Sequence, residues 1–194
     1  MPNDPDENAP PPEDREPVPE REVSNRDNGR RFRRAVAEHL ASKYAGRLLV
    51  YEEVPIGSSI IGKRRKVDML VVASDFRRAA ALEAKYQSAG GTTDEKIPYA
   101  LADCEAMHVP ATVVYAGGGW SPGVLHMLAA SAYAVHVKAD APDRIADASE
   151  LDVFLAEVFG FWETVVANRT PVKVKERGAE EVSSDGGTTH RERG

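Results

Sequence analysis

Lys66-Val67-Asp68-Met69-Leu70-Val71-Val72-Ala73, the pair Ser74-Asp75, and the run from Arg77 through Leu82-Glu83-Ala84-Lys85-Tyr86-Gln87 form the stretch on which the fold of this chain turns. The first run is apolar and β-rich, Ser74-Asp75 reads as a turn, and Arg77 to Tyr86 is a second strand, so the two make a hairpin. Successive side chains of a strand point to opposite faces. Glu83, Lys85 and Gln87 therefore share one face, and Leu82, Ala84 and Tyr86 the other. Asp68 interrupts the preceding apolar strand. A charge in such a strand is unfavourable unless its face is wet or several groups act together. Two carboxylates on neighbouring strands repel, and a hard divalent cation such as Mg2+, which takes oxygen ligands and keeps several waters, relieves that repulsion. Asp68 and Glu83 are the candidate metal ligands, and the backbone carbonyl of Ala84 lies between as a further oxygen. Lys85 adds positive charge where a phosphoryl oxygen or an activated water would lie. The set describes metal-assisted hydrolysis of a phosphodiester. The bland reading, a half-exposed strand with Glu-x-Lys cross-pairs, suits the tripeptide alone. It weakens once Asp68 stands 15 residues upstream across the hairpin and Gln87 completes the polar face.

Working outward, Phe32, Val36, Leu40 and Tyr44 recur at helical spacing, with Gly46 as a C-cap, and predict a first helix. Leu48 to Ile56 is a strand that Pro55 is expected to end. After the hairpin, Lys96 to Met107 is a helix with Pro98 in its first turn. Ala111 to Ala116 is a buried strand, Ser121-Pro122 opens a helix through about Ala132, Tyr133 to Lys138 is a last strand, and Glu150 to Phe159 a closing helix. A meander followed by strands alternating with helices predicts an α/β fold, a mixed sheet flanked by helices.

The chain has 194 residues, about one domain. Three segments are expected: an acidic, Pro-rich, disordered arm over 1–29, a folded domain over 30–170, and a flexible tail over 171–194. Net charge is −6, but it is unevenly placed. The arm carries nine acidic against three basic side chains, and residues 30–96 carry 14 Lys and Arg against eight acids. This basic half, with Arg30-Arg31-Phe32-Arg33-Arg34, Lys63-Arg64-Arg65-Lys66 and Arg77-Arg78, suits a phosphate-bearing partner. Lys63, Arg64 and Arg65 lie on the loop leading into the hairpin and are candidate phosphate contacts. So are Thr92, Thr93 and Lys96, in the small, hydroxyl-rich segment between the second hairpin strand and the next helix, where an open helix N-terminus favours phosphate. Helix capping by Thr93 is the plainer alternative.

Other chemistries are excluded. Gly57-Ser58-Ser59-Ile60-Ile61-Gly62-Lys63-Arg64 fits G-x-x-x-x-G-K, but Arg64 replaces the Ser or Thr of a P-loop and a strand follows where a helix is required. The five histidines show no paired ligand spacing, and Cys104 is the single cysteine, so neither a zinc site nor a disulfide is expected. Trp120 and Trp162 read as packing residues. With no leader and no apolar span, the expectation is a soluble cytoplasmic protein, bacterial or phage-encoded, without a membrane partner.

The Asp68 to Gln87 pattern resembles the PD-(D/E)XK nuclease superfamily, with Val67 where the name implies proline. The resemblance implies a restriction-endonuclease-like αβββαβ core and a Mg2+-dependent nuclease, Mn2+ substituting, with DNA as partner and a homodimer as one form. It assigns catalytic roles to Asp68, Glu83 and Lys85, adds Glu38 on the first helix, and matches Gln87 to a glutamine that some branches place two residues past the lysine. An endonuclease is the leading expectation. The alternatives are a branched-DNA or DNA-end-processing enzyme of repair or recombination, and a non-catalytic DNA-binding module. The acidic arm offers a contact for a protein partner or a mimic of DNA.

Overall fold

A 19-residue helix, α1 (Asn25–Lys43), leads the chain onto the sheet. The structure, a computed structural model, describes residues 25–90 and 93–172. Most of the predicted arm and tail, and Thr92, lie outside these residues. The helix starts inside the span predicted as arm, because Asn25 to Gly29 extend the helical frame and Asp27 in the first turn suits the positive helix N-terminus. Phe32, Val36, Leu40 and Tyr44 are all buried, as their spacing predicts.

Three antiparallel strands follow, β1 (Leu48–Ser58), β2 (Arg64–Ala73) and β3 (Ala79–Tyr86), then α2 (Ile97–Glu105), β4 (Ala111–Ala116), α3 (Pro122–Ala130) and β5 (Ala134–His136). The sheet runs β1-β2-β3-β4-β5, with β3, β4 and β5 parallel. The order of α1, three antiparallel strands, α2 and β4 is the expected αβββαβ core, built on a mixed sheet flanked by helices. β4 is buried at all six positions, as expected of a parallel strand covered on both faces. β1 runs through Pro55 to Ser58, beyond its expected end. It is an edge strand, so the missing N–H breaks no ladder to a further neighbour.

The expected last strand over Tyr133 to Lys138 is divided. β5 ends at His136, and Lys138 begins a separate hairpin of β6 (Lys138–Ala141) and β7 (Arg144–Asp147), which periodicity did not reveal because each strand has four residues. Then come α4 (Ser149–Phe159) and α5 (Trp162–Val166), the latter unforeseen. Trp162 is exposed, contrary to its reading as a packing residue, whereas Trp120 is buried and donates from Nε1 to the Ala116 carbonyl at 3.1 Å.

Two cores sandwich the sheet. One joins α1 and α4 through Phe32, Leu40, Met69, Leu82, Leu151 and Phe159; the other joins α2 and α3 through Ala81, Ile97, Leu101, Val113 and Leu128. β3 feeds both, with Leu82 and Ala84 on the α1 side and Ala81 on the α2 side. By alternation Glu83 and Lys85 open toward α2. Among the described residues no helix is long and apolar enough to cross a membrane.

Candidate active site

β2 and β3 part at the residues the sequence singled out. Their ladder runs from Val72↔Ala79 to Met69↔Leu82 and stops, one step short of Asp68 and Glu83. On the other side of β2, the pairing with β1 passes from Glu52↔Met69 to Val54↔Val67 over Glu53, whose φ of 56° lies in the left-handed region. That conformation is uncommon for a residue with a Cβ and marks a local break in the strand. Val67 accordingly packs in the α2-side core while Met69, two residues on, packs in the α1-side core. The bend sets Asp68 at the mouth of a fork between two strands.

The fork frees the N–H of Ala84 from the ladder, and it donates instead to Asp68 Oδ2 at 2.9 Å. An extended residue turns its N–H and C=O to the same side, so the Ala84 carbonyl opens into the same gap. Lys85 Nζ lies 3.0 Å from Glu83 Oε2 and 3.7 Å from Asp68 Oδ2. From α1, Arg33 Nη1 reaches Asp68 Oδ1 at 3.4 Å and Glu53 Oε1 at 3.1 Å. Burial lifts the Glu83 carboxyl above the usual carboxylate range; Lys85 opposes this and Asp68 adds to it. Burial alone would lower Lys85, but Glu83 and Asp68 outweigh it and hold the ammonium above the ordinary lysine value. Lys85 thus stays charged between two carboxylates that repel each other.

Asp68, Glu83, Ala84 and Lys85 come together as the sequence pattern anticipated. Glu38 does not join them. Its carboxylate is 63% exposed and bound by Arg34 Nε at 2.7 Å one helical turn earlier. Arg33 is the α1 side chain at the cluster, a placement that needs the tertiary packing and has no signal in the sequence. Gln87 shares the face of Lys85 but is fully buried. Its Nε2 donates to Asp94 Oδ1 at 2.7 Å and to the Gly119 carbonyl at 2.8 Å, tying the end of β3 to the turn before α3. It braces the scaffold.

The candidate DNA contacts divide. Arg65 is only 9% exposed and forms a two-pronged pair with Asp103 on α2, 2.8 Å on each prong, so its guanidinium is committed to that carboxylate in the cleft wall. The reason is alternation: Arg65 shares the face of Val67, which packs in the α2-side core. Asp103 went unnoticed in the sequence, although an acid within an otherwise apolar helix was a usable signal. Lys63, Arg64 and Lys96 line one cleft with Glu83 and Lys85, about 400 Å3 in volume, to which α2 contributes Tyr99. Thr93 precedes a short 3-10 turn (Asp94–Lys96) and makes no side-chain cap there. The basic run on α1 is instead mostly consumed in ion pairs: Arg30 with Asp27, Arg31 with Asp143, Arg34 with Glu38. Cys104 is buried, and burial pushes its thiol up to about 12, which removes it as a nucleophile.

A family model described as a PD-(D/E)XK nuclease superfamily domain matches residues 17–162. The chain belongs to that superfamily. PD-(D/E)XK proteins are generally hydrolytic nucleases and typically use divalent metals. No curated protein matches this sequence. Among solved structures, a crystal structure of a protein of unknown function is 9% identical, with a TM-score of 0.39 over 66% of each chain. A repair endonuclease from Pyrococcus abyssi is 18% identical, with a TM-score of 0.34 over 56% of this chain and 47% of that one. The chain therefore spans just under two thirds of the first and less than half of the second.

Proposed function

We propose that this PD-(D/E)XK protein is a divalent-metal-dependent deoxyribonuclease that hydrolyses DNA phosphodiester bonds, most simply as an endonuclease. The reading rests on one observation above all: Asp68, Glu83 and Lys85 converge where β2 and β3 part, and Glu83 and Lys85 line a cleft with Lys63, Arg64 and Lys96.

The donor set suits Mg2+. Asp68, Glu83 and the Ala84 carbonyl offer only hard oxygens. Among the described residues no group of three or more His, Cys, Asp or Glu that could hold a metal forms, so the proposed donors are two carboxylates and one backbone carbonyl. When bound, such a cation supplies positive charge to a phosphate and lowers the pKa of water. The chain's own groups do the rest. Ala84 N–H and Arg33 fix the rotation of the Asp68 carboxylate, and Arg33 and Lys85 balance the charges of Asp68 and Glu83. Lys85 directs its ammonium at the position of a non-bridging phosphate oxygen and stabilises the charge that grows there in the transition state. Lys63, Arg64 and Lys96 hold flanking phosphates and position the scissile one.

The test is incubation of purified protein with linear and with circular double-stranded DNA, in Mg2+ or in EDTA, beside Glu83→Ala and Lys85→Met. Metal-dependent cutting of the circle, absent from Glu83→Ala and reduced about 100- to 1,000-fold in Lys85→Met, is the expected result. Full activity in Lys85→Met would overturn the assignment of that residue. Cutting of linear DNA alone would make the enzyme an end-processing nuclease.

A further inference from the structure

The loop between β1 and β2 ends in a tight turn, Ser59-Ile60-Ile61-Gly62. Gly62 N–H donates to the Ser59 carbonyl at 2.8 Å, Ser59 N–H donates to the Lys63 carbonyl at 2.8 Å, and Gly62 has φ 74°. The two corner positions of such a turn ordinarily carry Pro, Asp, Asn or Ser. Here both are isoleucines, 46% and 58% exposed, and neither belongs to a hydrophobic core. The fold has no use for them there. The turn is nonetheless held fast: Asp103 Oδ1 accepts from the Ile60 N–H at 2.9 Å, and the same carboxylate grips Arg65 in the following strand. Ile61 lines the same cleft as Lys63, Glu83 and Lys85, so one side of the apolar corner, a cation and the Glu83–Lys85 pair face one volume.

We infer that the β1–β2 ribbon is a wedge that inserts Ile60 and Ile61 between stacked bases of duplex DNA, so that this site acts on a phosphate beside an unstacked base step. The inference rests on the nuclease reading and specifies its substrate geometry. Apolar side chains driven into a base step replace base stacking with side-chain contact and kink the duplex, and cations on the flanking backbone offset the cost of the distortion. Lys63 and Arg64, which make no ion pair among the described residues, stand beside the wedge to supply that contact. Charge complementarity to a polyanion selects nucleic acid as occupant, and the Asp103 anchor supplies the rigidity a wedge needs.

The experiment compares wild type with an Ile60→Ser, Ile61→Ser double variant on a fully paired duplex and on the same duplex with a central bubble of unpaired bases. Both side chains are exposed, so the variant should melt within about 2 °C of wild type. It should lose about 30-fold in cleavage of the paired duplex, equivalent to about 2 kcal/mol, and less than about threefold on the bubble, where the bases are already unstacked. Equal losses on both substrates, or none on either, overturn the wedge while wild-type cleavage keeps the nuclease reading. If wild type cleaves nothing, the nuclease reading falls, and duplexes carrying 2-aminopurine at successive positions decide the wedge in EDTA. A fluorescence rise with wild type and none with the variant supports insertion; no rise with wild type overturns it. A wild-type dimer that becomes a monomer in the variant also overturns it, assigning the isoleucines to a contact between copies.

Discussion

Replacing Arg65 by Met separates two readings of one residue. As a member of a basic cluster it would hold a phosphate; in the folded chain it is locked onto Asp103 by two 2.8 Å bonds, with the two side chains 9% and 13% exposed. Methionine keeps the packing against α2 and strands the Asp103 carboxylate, leaving it only the Ile60 N–H. Removing one partner of a nearly buried pair costs about 3–5 kcal/mol, which for a domain of this size lowers Tm by about 6–20 °C. Replacing both, Arg65→Met with Asp103→Leu, should recover most of that loss, because no carboxylate is then left unpaired. Acidity adds a signature. The hydrogen bonds from Arg65 hold the Asp103 carboxyl below the usual carboxylate range. Its contribution is therefore fully present above the unfolded aspartate value of about 3.9 and is lost as pH falls through the depressed folded value. The gap in Tm between wild type and Arg65→Met should narrow below about pH 4. Thermal melts from acid to neutral pH, with DNA binding measured against salt, make the assay. An unchanged Tm accompanied by a salt slope about one unit shallower would refute the argument and return Arg65 to the DNA-contacting set.

Glu38→Gln should change cleavage by less than about threefold, since its carboxylate serves only an exposed pair with Arg34; a hundredfold loss would give it a place at the metal after all. Gly117→Ala should destabilise the protein by about 3 kcal/mol or more, because φ is 97° and the new Cβ would stand 2.2 Å from the Gln87 carbonyl oxygen, whereas at Gly118 nothing lies within 4 Å and alanine should leave Tm within about 2 °C. Equal melting temperatures for the two alanine variants would contradict the close approach of the β4–α3 turn to β3.

The grouping of the candidate site was legible along the chain because it depends on a two-residue period. Alternation alone places Glu83 and Lys85 on one face of β3, and a short turn suffices to bring Asp68 beside them. The same local logic located α1 and β4, whose apolar patterns match burial on one side and on both. What lies between elements distant in sequence was decided by packing. Arg33 and not Glu38 meets Asp68, because the approach of α1 to the fork depends on how Phe32, Val36 and Leu40 seat against the sheet. Arg65 left the basic cluster for Asp103, 38 residues away, as soon as α2 covered that face. Gln87 became a brace because the turn of Gly117 to Gly119 closes over it. A sequence specifies which side of its own strand or helix a residue occupies, through the fixed geometry of the backbone; which partner waits on that side is set only when separate elements compete for the same buried surface.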